Sequence, residues 1–394
     1  MQQRKVTYRL YPSDIQKNRL SDMLGVHQRL YNKALEQRIQ LYEEEKKSLS
    51  FFNQCKSLTH WRASDPILAA VNAQSEQVTL KRLSLAFDAF FRRVKNGETP
   101  GFPRFKSYQR FSGWGYKAHG DGWRLLPGDS MKHGHVQLSG IGRIRIRGKA
   151  RIPGVPKTAE VLRKANHWYL SITMNCCPKR ERGEKGIGLD WGVENFATVV
   201  DTQGTVDTIK NPHFGRKMAP KIKQAHQAIA RSQKGSQSRR KHIDKLASFY
   251  RKLAHQRKNF VHEQSGKLIK SCQLIATEGL NVKKMTVKGG CRKKGLNREI
   301  LDTTPSLFLK LLKCKAEEAG LYWVEIPTRQ VKPSQTCHGC GIQAKKTLSE
   351  RMHHCSCGIK CSRDENAAKV MLNWALLGND RAGQELSEVR SGVL

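Results

Sequence analysis

Acidic residues are scarce in this sequence: 33 Asp and Glu stand against 72 Lys and Arg, for a formal charge of +39. A compact chain with that imbalance repels itself unless a polyanion lies against it, and the partner this predicts is nucleic acid. A membrane surface is the rival polyanion, but long apolar runs are lacking too. None approaches the ~20 residues of a spanning helix, and no signal peptide is recognised at the start, so no membrane partner is expected. A disulfide framework is also missing. Of the eleven cysteines, Cys55, Cys176, Cys177, Cys272, Cys291 and Cys314 follow no framework spacing, and they read as reduced packing residues in a cytosol-like compartment.

What is present is concentrated between Cys337 and Ala368. Two tight pairs, Cys337/Cys340 and Cys355/Cys357, each sit beside a glycine that lets the backbone turn both thiolates toward one ion, the arrangement of a closed tetrahedral zinc site. Because the second pair is C-x-C, His354 and Cys361 remain alternatives to Cys355. Asp364 opens an Ala-rich helical run (Asn366, Ala367, Ala368, Val370, Met371, Trp374), where a carboxylate serves either chemistry or a helix cap.

Residues 5–11 alternate Val6, Tyr8 and Leu10 in a strand period that stops at Pro12. Ser13 with Gln16 forms a capping box for a helix reaching about Lys47, on which Leu20, Leu24, His27, Tyr31, Ala34 and Arg38 recur at helical spacing. A second helix near 71–94 carries Leu83, Phe87, Phe90, Phe91 and Val94 on one side. Gln77 and Lys81, one turn apart, can reach base edges together, and a solvated face would look the same. Between Pro100 and Gly122, aromatic and basic residues interleave without period, including Arg104 and Lys106. Such a loop suits base stacking with phosphate contacts, or tucks against a barrel. From 123 to 175 the period is two (Val136, Leu138; Ile144, Ile146; Trp168, Leu170, Ile172, Met174). That predicts a small antiparallel barrel, which the first strand can join, making the helices an insertion.

After the charged linker 178–185, GIGLDWG places Asp190 near a strand end, and two strands flank the turn at Gln203–Gly204. Residues 215–271 hold sixteen Arg and Lys against Asp244 and Glu263, an imbalance that calls for phosphates opposite. The strand 273–282 carries Glu278. Residues 283–298 read as a mobile loop, Thr304–Pro305 starts a helix ended by Gly320, and 321–327 is a strand. The tail 378–394 lacks a core and is expected to be disordered.

Asp190, Glu278 and Asp364 each end a strand or open a helix in a three-strand-then-βα pattern, where catalytic groups gather at strand ends. Converged carboxylates repel unless hard cations lie between them. Two Mg²⁺ ions, for which Mn²⁺ can substitute, would resolve this and cleave a phosphodiester. The pattern favours a metal-dependent nuclease over a structural or regulatory nucleic-acid binder.

GIGLDWGVENFATV, IATEGLNVKKM and CSRDENAAKVML resemble the three nuclease motifs of the RuvC-like domain of TnpB, the OrfB-type proteins of insertion sequences. RLYPSDIQKNRL with YNKAL, AFDAFFRRVKNGETPGFPRFKS and PSQTCHGCG extend the likeness over nearly the whole chain. The resemblance implies Asp190, Glu278 and Asp364 as catalytic carboxylates holding Mg²⁺, and Cys337, Cys340, Cys355 and Cys357 as Zn²⁺ ligands. Two departures are the short second cysteine pair and Ser362, where family members commonly have Asp.

The implied architecture is multidomain α+β: a wedge OB-like β-barrel (1–12 and 104–183) containing an inserted helical recognition domain (13–103), then an RNase H-like nuclease domain (184–328 and 362–377). A zinc-binding target-nucleic-acid domain (329–361) interrupts the last of these. The implied activity is RNA-guided cleavage of double-stranded DNA beside a short transposon-associated motif, one protein per guide RNA, the guide coming from the element's own end. Gln77, Lys81, Arg104 and Lys106 are the expected contacts to the DNA flank and the start of the heteroduplex. A prokaryotic cytoplasmic location near the nucleoid follows. Compact type V CRISPR effectors share the core, and a cleavage-dead RNA-guided repressor is the other rival. Its hallmark would be a lost carboxylate, and all three are kept.

Overall fold

The structure, a computed structural model, describes residues 2–150, 152–164, 167–347 and 350–377, so the tail 378–394 lies outside it. The chain divides into two compact units, Met1–Pro178 and Lys179–Leu394.

In the first unit β1 (Gln2–Tyr11) buries Tyr8 and Leu10 and exposes the residues between them. The helices that follow are α1 (Asp14–Glu45), α2 (Phe51–Ser64), α3 (Pro66–Ala69) and α4 (Ala73–Lys95). The capping box forms as expected: Ser13 Oγ accepts from the Gln16 N–H and the Gln16 side chain accepts from the Ser13 N–H. Six short strands follow: β2 (Gly113–Tyr116), β3 (Trp123–Pro127), β4 (Lys132–Leu138), β5 (Gly142–Lys149), β6 (Val155–Lys164) and β7 (His167–Cys176). With β1 they make one seven-stranded antiparallel sheet in the order β2-β6-β7-β1-β5-β4-β3. The first strand thus pairs with β5 and β7 at the middle of the sheet, and the helices are inserted between it and β2.

One buried contact ties those helices to the sheet. His27 of α1 meets Thr79 Oγ1 of α4 through Nδ1 at 2.9 Å, and its ring stacks on Trp114 of β2 at 5.6 Å. Burial, assisted by the Arg82 charge, pulls its pKa down to about 3, so the ring stays neutral.

Two expectations need correction here. The stretch 101–124 is only partly a loop. Residues 113–116 are a fully buried strand, which commits Trp114 and Tyr116 to the core and leaves Phe102, Phe105 and Tyr108 exposed. On α4 the apolar side is buried through Phe87, whereas Phe91 and Val94 are exposed; Phe90 meets Phe102 edge to face at 5.4 Å instead of meeting the core.

The second unit opens with β8 (Lys185–Trp191), β9 (Asn195–Asp201) and β10 (Val206–Lys210), an antiparallel meander. The basic segment is a pair of contacting helices, α5 (Phe214–Arg231) and α6 (Gln237–Ser271). Next comes β11 (Cys272–Glu278), which lies parallel to β8. After it, α7 (Val282–Met285), α8 (Cys291–Thr303) and α9 (Pro305–Ala319) lead to β12 (Tyr322–Ile326), parallel to β11. The sheet order is β10-β9-β8-β11-β12. The chain finishes with α10 (Thr328–Val331), the small ribbon β13 (Met352–His354) and β14 (Lys360–Ser362), and α11 (Arg363–Leu377).

Residues 283–298, which read as a mobile loop in the sequence, are largely helical. Asn281 caps α7 by accepting from the Lys284 N–H, and α8 starts directly after Gly290. Only the C-terminal end of α8 is buried, at Ile300, Asp302 and Thr303, so the helix has almost no apolar stripe to betray it.

Candidate active site and metal centre

The sheet of the second unit has two distinct faces. Ile187, Leu189 and Ile275 point into the core shared with α6 and α9. The alternate residues Leu274 and Ala276 pack against Ala367, Met371 and Leu372 of α11. By the two-residue period of a strand, Gly186, Gly188 and Asp190 of β8 and Leu274, Ala276 and Glu278 of β11 look toward α11. The register pairs Leu189 with Thr277, so Asp190 and Glu278 follow side by side on that face. Gly188 permits the approach of the helix, because a Cβ there would collide with the Ala368 carbonyl oxygen. That close seating carries the first turn of α11 to the end of β8. Asp364 Oδ2 lies 4.0 Å from where a Cβ on Gly192 would be.

The electrostatics agree with this convergence. Burial raises the Asp190 carboxyl well above the usual carboxylate range, the Glu278 and Asp364 charges raise it further, and Arg363 opposes them. Burial also raises Glu278. Among the described residues, no hydrogen bond or ion pair engages the Asp190 or Glu278 carboxylate, while Asp364 has Arg363 Nε at 3.9 Å. Oxygen ligands left without protein partners fit a hard divalent cation. The three carboxylates are spread more widely than a closed ligand set: among the described residues only a cysteine group has all its ligand atoms within 4.8 Å of one another.

That group is Cys337, Cys340, Cys355 and Cys357. Cys337 Sγ is 3.7 Å from Cys357 Sγ, and Cys340 Sγ is 3.4 Å from Cys355 Sγ. A tetrahedral ion with metal–sulfur bonds of about 2.3 Å separates its sulfurs by roughly 3.8 Å, so the four thiols can hold a metal and the spacing is compatible with zinc. Each pair belongs to a matching turn. Gly341 N–H donates to Cys337 O and Gly358 N–H to Cys355 O, both glycines at positive φ. The shortened second pair therefore closes because β13 and β14 present it as a hairpin tip. Cys355, drawn down to about 6 chiefly by the Cys357 backbone N–H and then by the Cys340 thiol, belongs to the group, and His354 and Cys361 do not.

Ser362 accepts from the Glu365 N–H at 3.1 Å, so it caps α11 much as an Asp would. In the sequence Asn366 stands out only as part of a helical run, and Arg363 not at all; both are polar, and both are partly or wholly buried beside Asp364. Nor does the sequence single out Lys310 and Lys313 of α9, which with Lys283 and Glu278 line a cavity of about 500 Å³.

In the first unit, Gln77 is half-buried on α4 and Lys81 is exposed with its ammonium 5.1 Å from the Phe51 ring. Arg104 is exposed. Lys106 holds its ammonium 4.6 Å from the Tyr31 ring, while its backbone N–H donates to Asn32 Oδ1. Both lysines are thus parked on aromatic faces with their charges near solvent.

Comparison with known proteins follows the same segments. A family model of OrfB proteins of IS605 type, described as a probable transposase, matches residues 162–288. One described as a Cas12f1-like TNB domain matches 306–371, and one described as a helix-turn-helix domain matches 1–47, although that span here is a strand and one continuous helix. A protein of Streptomyces pristinaespiralis is 28% identical over 94% of this chain and 88% of its own length. One of Escherichia coli K12, InsQ, is 26% identical over 93% and 90%. Both carry the name "Putative RNA-guided DNA endonuclease". The protein in a cryo-EM structure of a Cas12f1–sgRNA–target DNA complex shares the fold, with a TM-score of 0.59 at 12% identity over 94% of this chain and 98% of that one. Motifs, paired cysteines and relatives matched over most of their length agree: the chain is similar to the OrfB-type, TnpB-like proteins of insertion sequences.

Proposed function

We propose that this protein is the RNA-guided DNA endonuclease of a transposable element, cutting double-stranded DNA beside a short flanking motif. The observation that carries the reading is that Asp190 and Glu278 stand side by side on the sheet face that α11 covers, with Asp364 in the first turn of that helix, in a chain of net charge +39. In this reading residues 184–328 and 362–377 are a RuvC-like, RNase H-like nuclease, and 329–361 is a zinc-binding target-nucleic-acid domain. Residues 1–12 and 104–183 are the wedge around a recognition insert at 13–103. Cys337, Cys340, Cys355 and Cys357 would hold one structural Zn²⁺.

Asp190, Glu278 and Asp364 would hold two Mg²⁺ ions, which supply an activated water and stabilise the leaving oxygen of a phosphodiester. The chain's own residues do the rest. The carboxylates stand at the ends of β8 and β11 and at the start of α11. Arg363 beside Asp364 limits the repulsion among the acids. Lys283, Lys310 and Lys313 offer cations next to Glu278 for neighbouring phosphates of the strand being cut. Target choice falls to base pairing with the guide, and the protein reads the flank and the helical shape.

The test is to strip the protein of RNA and supply Mg²⁺ and a plasmid. Cutting is then compared with and without RNA transcribed from the 3′ end of its gene and the adjoining DNA. Guided cutting is expected only with that RNA. Sequence-indifferent cutting by the RNA-free protein would overturn the reading in favour of a structure-selective resolvase.

A further inference from the structure

Asn366 is fully buried on the face of α11 that meets the first cysteine turn. Its Oδ1 accepts from the His338 backbone N–H at 3.1 Å and meets His338 Nδ1 at 3.0 Å. Its Nδ2 donates to Thr336 O at 2.6 Å and to Pro333 O at 3.4 Å. Every hydrogen-bonding position of the amide is therefore used. Two turns further along the same face, Asn373 Nδ2 donates to the His338 carbonyl at 3.1 Å. His338 lies between Cys337 and Cys340, so the turn that presents two metal-binding thiols is gripped at its N–H, its ring and its carbonyl by one helix. Asp364 stands on that helix two residues before Asn366.

Helix propensity does not account for this asparagine. Asn is an indifferent helix former, and Ser362 already supplies the cap. Burying an amide is favourable only when all of its hydrogen bonds are made. Here they are, and every partner lies in the segment 333–338. The amide thus couples two things the sequence keeps apart: the order of the first cysteine turn and the placement of the first turn of α11.

We infer that Asn366 is a positioning residue, which transmits the order of the metal-bound cysteine turn through His338 to Asp364 and so sets divalent-cation affinity at the carboxylates. The inference rests on the nuclease reading above. It assigns the cysteine centre a role toward the carboxylate site beyond holding residues 329–361 together. A misplaced ligand of about 1 Å is enough to cost 10²-fold in a preorganised site, so loss of the amide should be felt at Asp364 without any change in its chemistry.

The test uses full-length Asn366→Ala with guide RNA bound, read first by Mn²⁺ binding in electron paramagnetic resonance, which needs no turnover, and then by the Mg²⁺ dependence of cleavage. Mn²⁺ affinity should fall about tenfold or more, zinc content should stay at one per chain, and cleavage should recover in part at high Mn²⁺. His338→Ala, which leaves the helix sequence untouched and keeps the backbone contact, should move Mn²⁺ affinity in the same direction by less. Wild-type Mn²⁺ affinity in both variants, or loss of zinc from Asn366→Ala, would overturn the inference. Asp364→Ala separates it from the reading beneath: if that variant binds Mn²⁺ and cleaves normally, the nuclease assignment itself fails. If Asp364→Ala abolishes both while Asn366→Ala changes neither, only the positioning role fails.

Discussion

Gly188 of β8 lies directly against Ala368 of α11, so closely that a Cβ on the glycine would overlap the alanine's carbonyl oxygen. The helix that carries Asp364 in its first turn owes its place against β8 to this missing side chain. Gly188→Ala should therefore push α11 off the sheet, costing about 3 kcal/mol of stability in the second unit, the upper end for overpacking. It should also lose most cleavage. Gly186→Ala is the control: its Cβ would meet only Thr202 Cγ2 at 3.0 Å and Leu side chains that can shift, and it should cost about 1 kcal/mol. Thermal unfolding of the two variants checks the difference. Equal costs would refute the seam as the determinant.

Alanine at Asp190, Glu278 or Asp364 should reduce cleavage by about 10²-fold or more, with guide RNA and DNA binding largely unchanged, since each substitution removes a cation ligand and few phosphate contacts. A near wild-type rate from any one of them would remove that residue from the mechanism.

Because burial and its two acidic neighbours raise Asp190, pH enters with a definite sign. A carboxyl whose folded pKa is raised contributes stability below its unfolded value, and that contribution is lost as pH rises through the folded value. Metal-free protein should thus weaken as Asp190 ionises, and Asp190→Asn should be more heat-stable than wild type at neutral pH without Mg²⁺. Acidification should raise the Mg²⁺ concentration needed for cleavage, because the cation then competes with a proton. Melting curves with and without chelator, across pH, would decide both points.

Removing the metal from the cysteine centre, by chelation or by Cys340→Ser, should unfold the segment around 329–361, since a structural zinc is worth on the order of 10 kcal/mol to such a site. Cys361→Ser should keep its metal, because Cys361 lies outside the cysteine group. Metal analysis of that variant is the check, and loss of zinc from it would show the ligand set to be wrong.

In the first unit two buried groups titrate in opposite senses. His27, held down to about 3 by burial and then by Arg82, contributes stability that is complete above its unfolded value of 6.5 and lost on acidification toward about 3. Glu76, pushed up to about 7 by burial against the opposing pull of Arg62, contributes stability below its unfolded value of 4.5 that is lost as pH rises through about 7. Glu76→Gln should accordingly flatten the alkaline side of the unit's stability profile and leave the acid side steep. Denaturant melts followed by tryptophan fluorescence, with Trp114 stacked on His27, provide the measurement.

Features written locally in the chain are legible in its residues alone. The Ser13 cap, the cysteine turns, the strand ends at Asp190 and Glu278 and the helix start at Asp364 each depend on residues a few positions apart, where turn chemistry and side-chain period decide the outcome. The hidden features depend on what comes to lie opposite. Trp114 and Tyr116 have the same sequence character as Phe102 and Phe105, yet the first two are core residues because β2 pairs with β6, and the others face solvent. The helix over 291–303 is obscured because it leans on the core at one end only, which leaves no apolar stripe to read.

Residue chemistry therefore dictates the cation-rich character, the identity of the candidate ligands and the elements that carry them, because charge, ligand type and turn formation are properties of residues and their immediate neighbours. Packing dictates the rest: that Asp190 and Glu278 stand side by side with the first turn of α11 at the end of β8, that Cys355 completes the sulfur group in place of Cys361, and that Asn366 joins helix α11 to the first cysteine turn. Each of those facts depends on which surfaces meet: the seating of α11 against a strand with a glycine at its centre decides the first, the β13–β14 hairpin the second, and the burial of the amide against residues 333–338 the third.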